Sequence, residues 1–254
     1  MFAQIVSVFG IFLVFGFILS RIQTFIVRNY QRSVGWRGVL WTAWLGTPVH
    51  EYSHELVALI FGHRITEVVL FAPDPKTGEL GHVSHSYNRH SLYQNIGNFF
   101  IGLAPLIIGP ILLTLMLYFL VPRGGEAFGH LVIDPGSWTT SWQSVKNFLL
   151  ILFSPADLLS FRFWLVLYLS FCIASHLAPS RSDLHGAWAG GSLIIVCLFL
   201  VDALAFLLNW NISPYIIGFS SVLAGLAAIY VYVLLIDIFH FLLSWLIFRL
   251  FRRK

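Results

Sequence analysis

The chain has 254 residues, 58% of them hydrophobic and only 10% charged, with a mean hydropathy of +0.82. Soluble domains carry about 25% charged residues, so this composition excludes an ordinary soluble fold and points to an all-α polytopic membrane protein forming one domain over 1–254. The formal net charge of +4 is small, and much of the basic charge sits in Arg249, Arg252, Arg253 and Lys254, which suits a headgroup surface better than a nucleic-acid partner.

In chain order, the first predicted helix covers 5–27. It lacks a basic start and a small-residue cleavage site, so it reads as a retained helix rather than a signal peptide. A basic connector follows, with Arg21, Arg28, Arg32 and Arg37. The second predicted helix, 38–62, contains His50-Glu51-Tyr52-Ser53-His54. This is H-E-x-x-H, in which the two histidines stand one helical turn apart on the same face and the Glu lies about 60° round from the second. Two imidazoles so placed can hold one Zn²⁺, and the carboxylate can reach a neighbouring water. Ionisable groups in an apolar span cost about 2.5–3.5 kcal/mol each, so His50, Glu51 and His54 need a common partner, and a metal supplies one. Pro48 frees the carbonyl of Trp44 and predicts a kink beside the site.

Residues 66–89 change character: 67–71 is β-prone, Pro73-Asp74-Pro75-Lys76-Thr77-Gly78 has turn chemistry, and 79–88 alternates. A β-hairpin at the membrane surface is expected there. His82, His85 and His90 read as surface histidines of that hairpin, with a second metal site as the alternative. A third helix, 92–121, carries Gly102, Pro105, Gly109 and Pro110 and should follow a bent path. A polar loop with an Asp134-Pro135-Gly136 turn leads to an interfacial stretch over 146–153. Ser154-Pro155-Ala156-Asp157 starts a fourth helix over 155–177, and Ala178-Pro179-Ser180-Arg181-Ser182 breaks it. Helices over 183–209 and 214–238 and an amphipathic end complete about six transmembrane helices. Asp237 and His240 share a helix face and are placed at the interface. Cys172 and Cys197 lie in apolar helices and offer no disulfide framework.

A catalytic zinc site usually has three protein ligands and an open position. Candidates for the third are His63, His82, His85, His90, His176, Asp183, His185 and a few other carboxylates, and Ile60 excludes a third His ten residues after the first. Asp183 stands out at a helix start after the Pro179 break, beside Gly186, Gly190 and Gly191. Ser180 and Asp183 also form a capping pattern, so on local sequence a ligand and a simple cap are equally good readings.

The first motif extends to Ala58, Gly62 and Ile65, and in this it resembles the site-2 protease family of intramembrane zinc metalloproteases. A hairpin after the motif helix, the Gly109-Pro110 helix, and the Pro179-to-Asp183 break follow in the family's order, so the resemblance covers roughly 44–191. It implies His50, His54 and Asp183 as ligands of one Zn²⁺ per chain, Glu51 as general base, and cleavage of a peptide bond in or near a transmembrane segment of a membrane-embedded protein or peptide. It also implies a hairpin facing the cytosol and both chain ends cytosolic. That orientation leaves the arginines between the first two helices outside, against the positive-inside tendency. The second motif departs from the pattern: Ser175 and His176 stand where the family has an Asn, and Gly186 comes two residues late. His176 or Ser175 is left to stabilise the oxyanion, and there is no room for a PDZ domain. Alternatives are a membrane hydrolase of a lipid-like amide or ester, and a non-enzymatic protein that carries protons or metal ions. A compact chain with no organellar signal fits a prokaryotic cytoplasmic membrane.

Overall fold

A computed structural model describes residues 2–134, 136–208, 210 and 213–251, with side chains for 9–134, 136–208, 210 and 225–251. Pro135 of the expected turn, Asn209 at the expected end of the fifth helix, and the basic residues Arg252, Arg253 and Lys254 lie outside the described residues. The fold is all-α with one small sheet. Its elements are α1 (Phe2–Ser33), α2 (Trp36–Ile60), β1 (Arg64–Val69), β2 (His82–Ser86), α3 (Leu92–Gly102), α4 (Ala104–Leu120), α5 (Gly124–Gly129), α6 (Trp138–Leu152), α7 (Pro155–Leu158), α8 (Phe161–Ala174), α9 (Arg181–Leu207) and α10 (Ser213–Phe251).

The hairpin expected over 66–89 is present, with its strands set slightly earlier, from Arg64 to Ser86. β1 and β2 pair antiparallel, with Arg64 opposite Ser86 and Val69 opposite His82 and a register shift between Ile65 and Glu67. Asp74 builds the turn: its carbonyl accepts from Gly78 N–H at 2.8 Å and its carboxylate from Lys76 N–H at 2.8 Å. Gly78 takes the left-handed φ of 79° that this turn needs. The expected third helix is two, α3 and α4, bent by 57°. Pro105 sits in the first turn of α4, and Gly102 packs so closely on α9 that an added Cβ would lie 2.2 Å from the Asp183 carbonyl oxygen. The expected 155–177 helix also divides into α7 and α8. Asp157, fully buried, accepts from Ser154 Oγ and Arg123 N–H and so holds the intervening turn in place. Conversely, the last helix and its amphipathic end are continuous as α10.

Contacts fix the direction of each helix. His54 meets Ile101, and Ile60 and Phe61 meet Tyr93 and Gly97, so α2 and α3 are antiparallel. Gly102 meets Asp183 and Ala187 while Gly190 meets Asn95 and Phe99, so α3 and α9 are antiparallel and α9 runs with α2. Trp41 and Trp44 contact Tyr168, and His50 contacts His176, so α8 also runs with α2. The fourth and fifth predicted helices therefore follow one another in the same sense, joined by a break at 175–180, rather than standing as antiparallel neighbours. Along the other side, Phe15 stacks on Tyr230, Tyr30 bonds His240 and Asn29 bonds Ser244, which makes α1 and α10 parallel. Their seam buries Leu19, Gln23, Ile26 and Tyr30 against Val233, Asp237, His240 and Ser244 at alternating spacings of three and four. Asp237 and His240 are thus in the protein interior, 0% and 1% exposed.

Outward-facing apolar side chains such as Leu13, Phe17, Leu115, Phe119, Phe199, Leu200 and Phe206 give the bundle a greasy surface. Phe9–Ser33, Arg181–Leu207 and Gly225–Phe251 are long and apolar enough to cross a membrane, and the bent α3–α4 pair makes a fourth such path.

Candidate metal centre

The site forms where the middle of α2 meets the α8–α9 break. Gly46, one turn before His50, lets the two segments close: an added Cβ would lie 2.0 Å from the Cys172 carbonyl oxygen and 2.4 Å from His176 Nδ1. The approach sets His50 Nδ1 2.6 Å from the carbonyl oxygen of His176. On the far side, α3 sets the carbonyl oxygen of Ile101 2.7 Å from His54 Nδ1. A carbonyl can only accept, so both Nδ1 atoms carry a proton, and the tautomer this selects has its lone pair on Nε2. These two Nε2 atoms face one another at 3.1 Å. Two lone pairs at that distance repel unless a cation lies between them. Main-chain carbonyls fixing the outer nitrogen are the usual support of metal-bound histidine.

Asp183 completes the group. Its Oδ2 accepts from Ser180 N–H at 2.7 Å, and Ser180 Oγ accepts from Asp183 N–H at 3.2 Å, so the capping box is formed. The same carboxylate reaches the histidines, with Oδ1 3.5 Å from His54 Nε2 and Oδ2 3.8 Å from His50 Nε2. The two sequence readings of Asp183 are therefore compatible: the cap fixes the carboxylate and leaves Oδ1 toward the imidazoles. Ligands of a tetrahedral Zn²⁺ lie about 3.3 Å apart, which matches these separations in scale. Among the described residues, His50, His54 and Asp183 are the group whose donor atoms converge, all within 4.8 Å of one another. Nitrogen and carboxylate donors in this number suit Zn²⁺ with a fourth position open.

Glu51 is buried, 8% exposed, under the hairpin loop, where a Cβ on Gly81 would come within 3.2 Å of its Cγ. His50 and Glu51 line one wall of a cleft of about 550 Å³ that also touches Thr47, Gly78, Gly81 and His176. Its other wall is the polar stripe Ser20, Gln23, Thr24, Arg28 and Gln31 of α1.

His176 takes part differently from expectation. Its carbonyl oxygen orients His50, while its imidazole Nδ1–H donates to Cys172 O at 3.0 Å. A neutral ring in that tautomer offers a lone pair at Nε2, not the N–H that an oxyanion requires. Ser175 Oγ donates back to Phe171 O at 2.6 Å and is likewise committed. The remaining candidate ligands are elsewhere. His63 and His85 pair with each other at 2.9 Å, and His82 pairs with Glu79 at 2.8 Å. His90 and His185 are exposed.

Thr47 and Gln23 were not singled out by motif reasoning. Thr42 and Ser53, in the same helix as Thr47, donate back to Val39 O and Val49 O, whereas buried Thr47 Oγ1 has no hydrogen-bond partner and lies one turn before Glu51. The available signal was that spacing. Gln23 carried none, because its role depends on a segment more than 150 residues away. No protein-family model, no curated protein and no solved structure matches this chain.

Proposed function

We propose that this chain is an intramembrane zinc endopeptidase of the site-2 protease type, hydrolysing a peptide bond in or near a transmembrane segment of a membrane-embedded substrate. The observation that carries the proposal is the pair of carbonyl-anchored imidazoles whose free Nε2 atoms face each other and Asp183, with Glu51 next in sequence. His50, His54 and Asp183 would hold the metal. A bound Zn²⁺ supplies Lewis acidity toward a carbonyl and toward water. Glu51 accepts the proton of the attacking water and passes it to the leaving amine, a role its burial favours because the proton is then not lost to bulk solvent. The polar stripe of α1 lines a route for water to an otherwise apolar interior.

A helical substrate must unwind before its peptide bond is accessible. β1 and β2 form a two-stranded sheet with unpaired outer edges, and its Gly78–Gly81 loop borders the cleft. An extended substrate strand can add to that sheet. On the opposite side of α2, Pro48, Val49, Tyr52, Ile108, Ile111 and Leu115 line an almost wholly apolar groove of about 470 Å³. That groove also suits an acyl chain and keeps hydrolysis of a lipid-like amide or ester as the second reading.

The helix directions suggest passes by α1, α2, α3–α4, α8–α9 and α10, fewer than six. Arg28, Arg32 and Arg37, the loop with Arg123, Lys146 and Arg162, and Arg249 then gather at one end, opposite the hairpin. The positive-inside tendency places that end in the cytosol and the hairpin outside, the reverse of what the family resemblance implies. The test of function is a wild-type and Glu51→Gln comparison on membrane-peptide and lipid-amide substrates in detergent. Peptide cleavage lost in Glu51→Gln with zinc retained supports the endopeptidase. Cleavage of the lipid amide alone supports the second reading, and peptide cleavage that persists in Glu51→Gln refutes the mechanism.

A further inference from the structure

The α8–α9 break carries two of the site's supports within a few residues: the His176 carbonyl that orients His50, and the Ser180–Asp183 cap that sets the carboxylate. A six-residue interruption between helices leaves carbonyl and N–H groups without intrahelical partners. In an apolar bundle such a segment keeps one conformation only if those groups are satisfied from outside. Ser175 and the His176 ring bond back to α8. Further support comes from the first helix.

Gln23 is buried, 8% exposed, on the face of α1 that meets the break. Its Nε2 donates to the Ala174 carbonyl oxygen at 2.7 Å, and its Oε1 accepts from the Ala178 N–H at 3.2 Å. One side-chain amide thus spans the break from its last α8 residue to the residue two beyond His176. A primary amide donates from its nitrogen and accepts at its oxygen without carrying charge, so it can bridge a carbonyl and an N–H, and Asn is one methylene shorter. A charge at this point would be unsuited, because Asp237 of α10 lies beside Gln23, fully buried.

We infer that Gln23 is a positioning residue of the metal centre: its amide clamps the α8–α9 break so that the His176 carbonyl holds His50 and the cap holds Asp183. The first helix is therefore part of the site's outer support and not merely a membrane anchor. This rests on the metal-centre reading above. Outer partners of metal ligands typically contribute about 10–100-fold in metal affinity, which sets the expected size of the effect.

The test measures Zn²⁺ affinity by chelator competition, and the visible absorption of the Co²⁺-loaded protein, for the full chain in detergent. Four proteins are compared: wild type, Gln23→Leu, Gln23→Glu and Asn29→Ala. Gln23→Leu removes both bonds and should weaken Zn²⁺ binding by about 10–100-fold and alter the Co²⁺ spectrum. Gln23→Glu in its ionised form keeps the acceptor for Ala178 N–H, loses the donor to Ala174 and should bind Zn²⁺ more weakly than wild type. Asn29→Ala removes a different α1 bond, to Ser244 of α10, that does not touch the break, and should bind as wild type does. Wild-type affinity and spectrum in Gln23→Leu overturn the inference while leaving the metal centre intact. Equal weakening in Asn29→Ala and Gln23→Leu also overturns it, by making the effect one of general helix packing. If Gln23→Leu does not fold, wild-type metal binding by Gln23→Glu overturns it. A wild-type protein that binds neither metal refutes the metal-centre reading itself and the inference with it.

Discussion

The molecule holds two histidine clusters, and they differ in where their ring protons go. At the centre of α2 both Nδ1 protons are spent on main-chain carbonyls, and two lone pairs are left facing each other and a carboxylate. In the hairpin cluster the rings instead meet one another or a carboxylate. His63 Nε2–H donates to the Gln94 carbonyl at 2.9 Å, so its Nδ1 accepts the proton of His85 Nδ1 at 2.9 Å. His82 lies between Glu79 at 2.8 Å and Glu67 at 3.5 Å, as a protonated imidazolium would. The hairpin cluster has three imidazoles against two, and the carboxylates Glu67 and Glu79, yet its hydrogen bonds close without a metal ion. Residue type therefore does not decide which cluster is suited to hold a metal. The outer hydrogen bonds do, by setting which nitrogen keeps its lone pair.

The contrast breaks most sharply by deleting a ligand. His54→Ala and Asp183→Ala should each lose nearly all of the one zinc per chain expected in purified wild type, read by metal analysis under trace-metal control. Removing His82 or His85 should leave the zinc content unchanged, and zinc loss on removing either would merge the two clusters into one site. Next in size, Glu51→Gln should retain zinc and lose about 10²–10⁴-fold in activity, the range of a general base.

Gly81→Ala should have a smaller effect. Its Cβ would stand 2.6 Å from Val69 O and 3.2 Å from Glu51 Cγ, so the loop must shift off the carboxylate. A fall in activity with zinc content unchanged is expected, measured on the same substrates. Cysteine-accessibility labelling in intact membranes should then separate the two ends of the bundle. A cysteine at Lys76 and one at Arg249 should label from opposite sides, and labelling from one side would contradict the parallel α1–α10 arrangement.

The smallest effect is a pH dependence confined to the hairpin. Hydrogen bonding to Glu79, then Glu67, raises the His82 pKa above its ordinary 6.5. A raised pKa gives stability that is complete below about 6.5 and lost as pH rises through the folded-state value. Burial, then the neighbouring His63, lowers the pKa of His85, whose contribution is present above about 6.5 and fades as pH falls. Hydrogen exchange over 82–86 should report both. In His82→Asn the loss of protection on going alkaline should vanish while the acid-side loss remains, and an unchanged alkaline response would remove His82 from the account.

Much of this was written locally. The His50-Glu51-Tyr52-Ser53-His54 spacing puts both imidazoles on one helix face whatever surrounds them, because helical periodicity is a property of the backbone. The Asp74–Gly78 turn and the Ser180–Asp183 cap are equally local, each formed by hydrogen bonds within a few residues. Composition determined that the chain is rich in apolar helix. Helix ends were less legible: the bend at Leu103 and the division at Leu159 and Ser160 depend on Asp183 O pressing on Gly102 and on Arg123 reaching Asp157.

Only the tertiary structure decided the rest. It showed that the Asp183 cap also faces the histidines, that the His176 main chain rather than its ring serves His50, and that α8 and α9 run in one direction. It buried Asp237 and His240 in a parallel α1–α10 seam and brought Gln23 to a break more than 150 residues along the chain. The physical reason is common to all of these. A sequence fixes which groups a backbone presents and at what period, but the partner of a hydrogen bond across helices is set by which segments pack together, and that is a property of the whole fold.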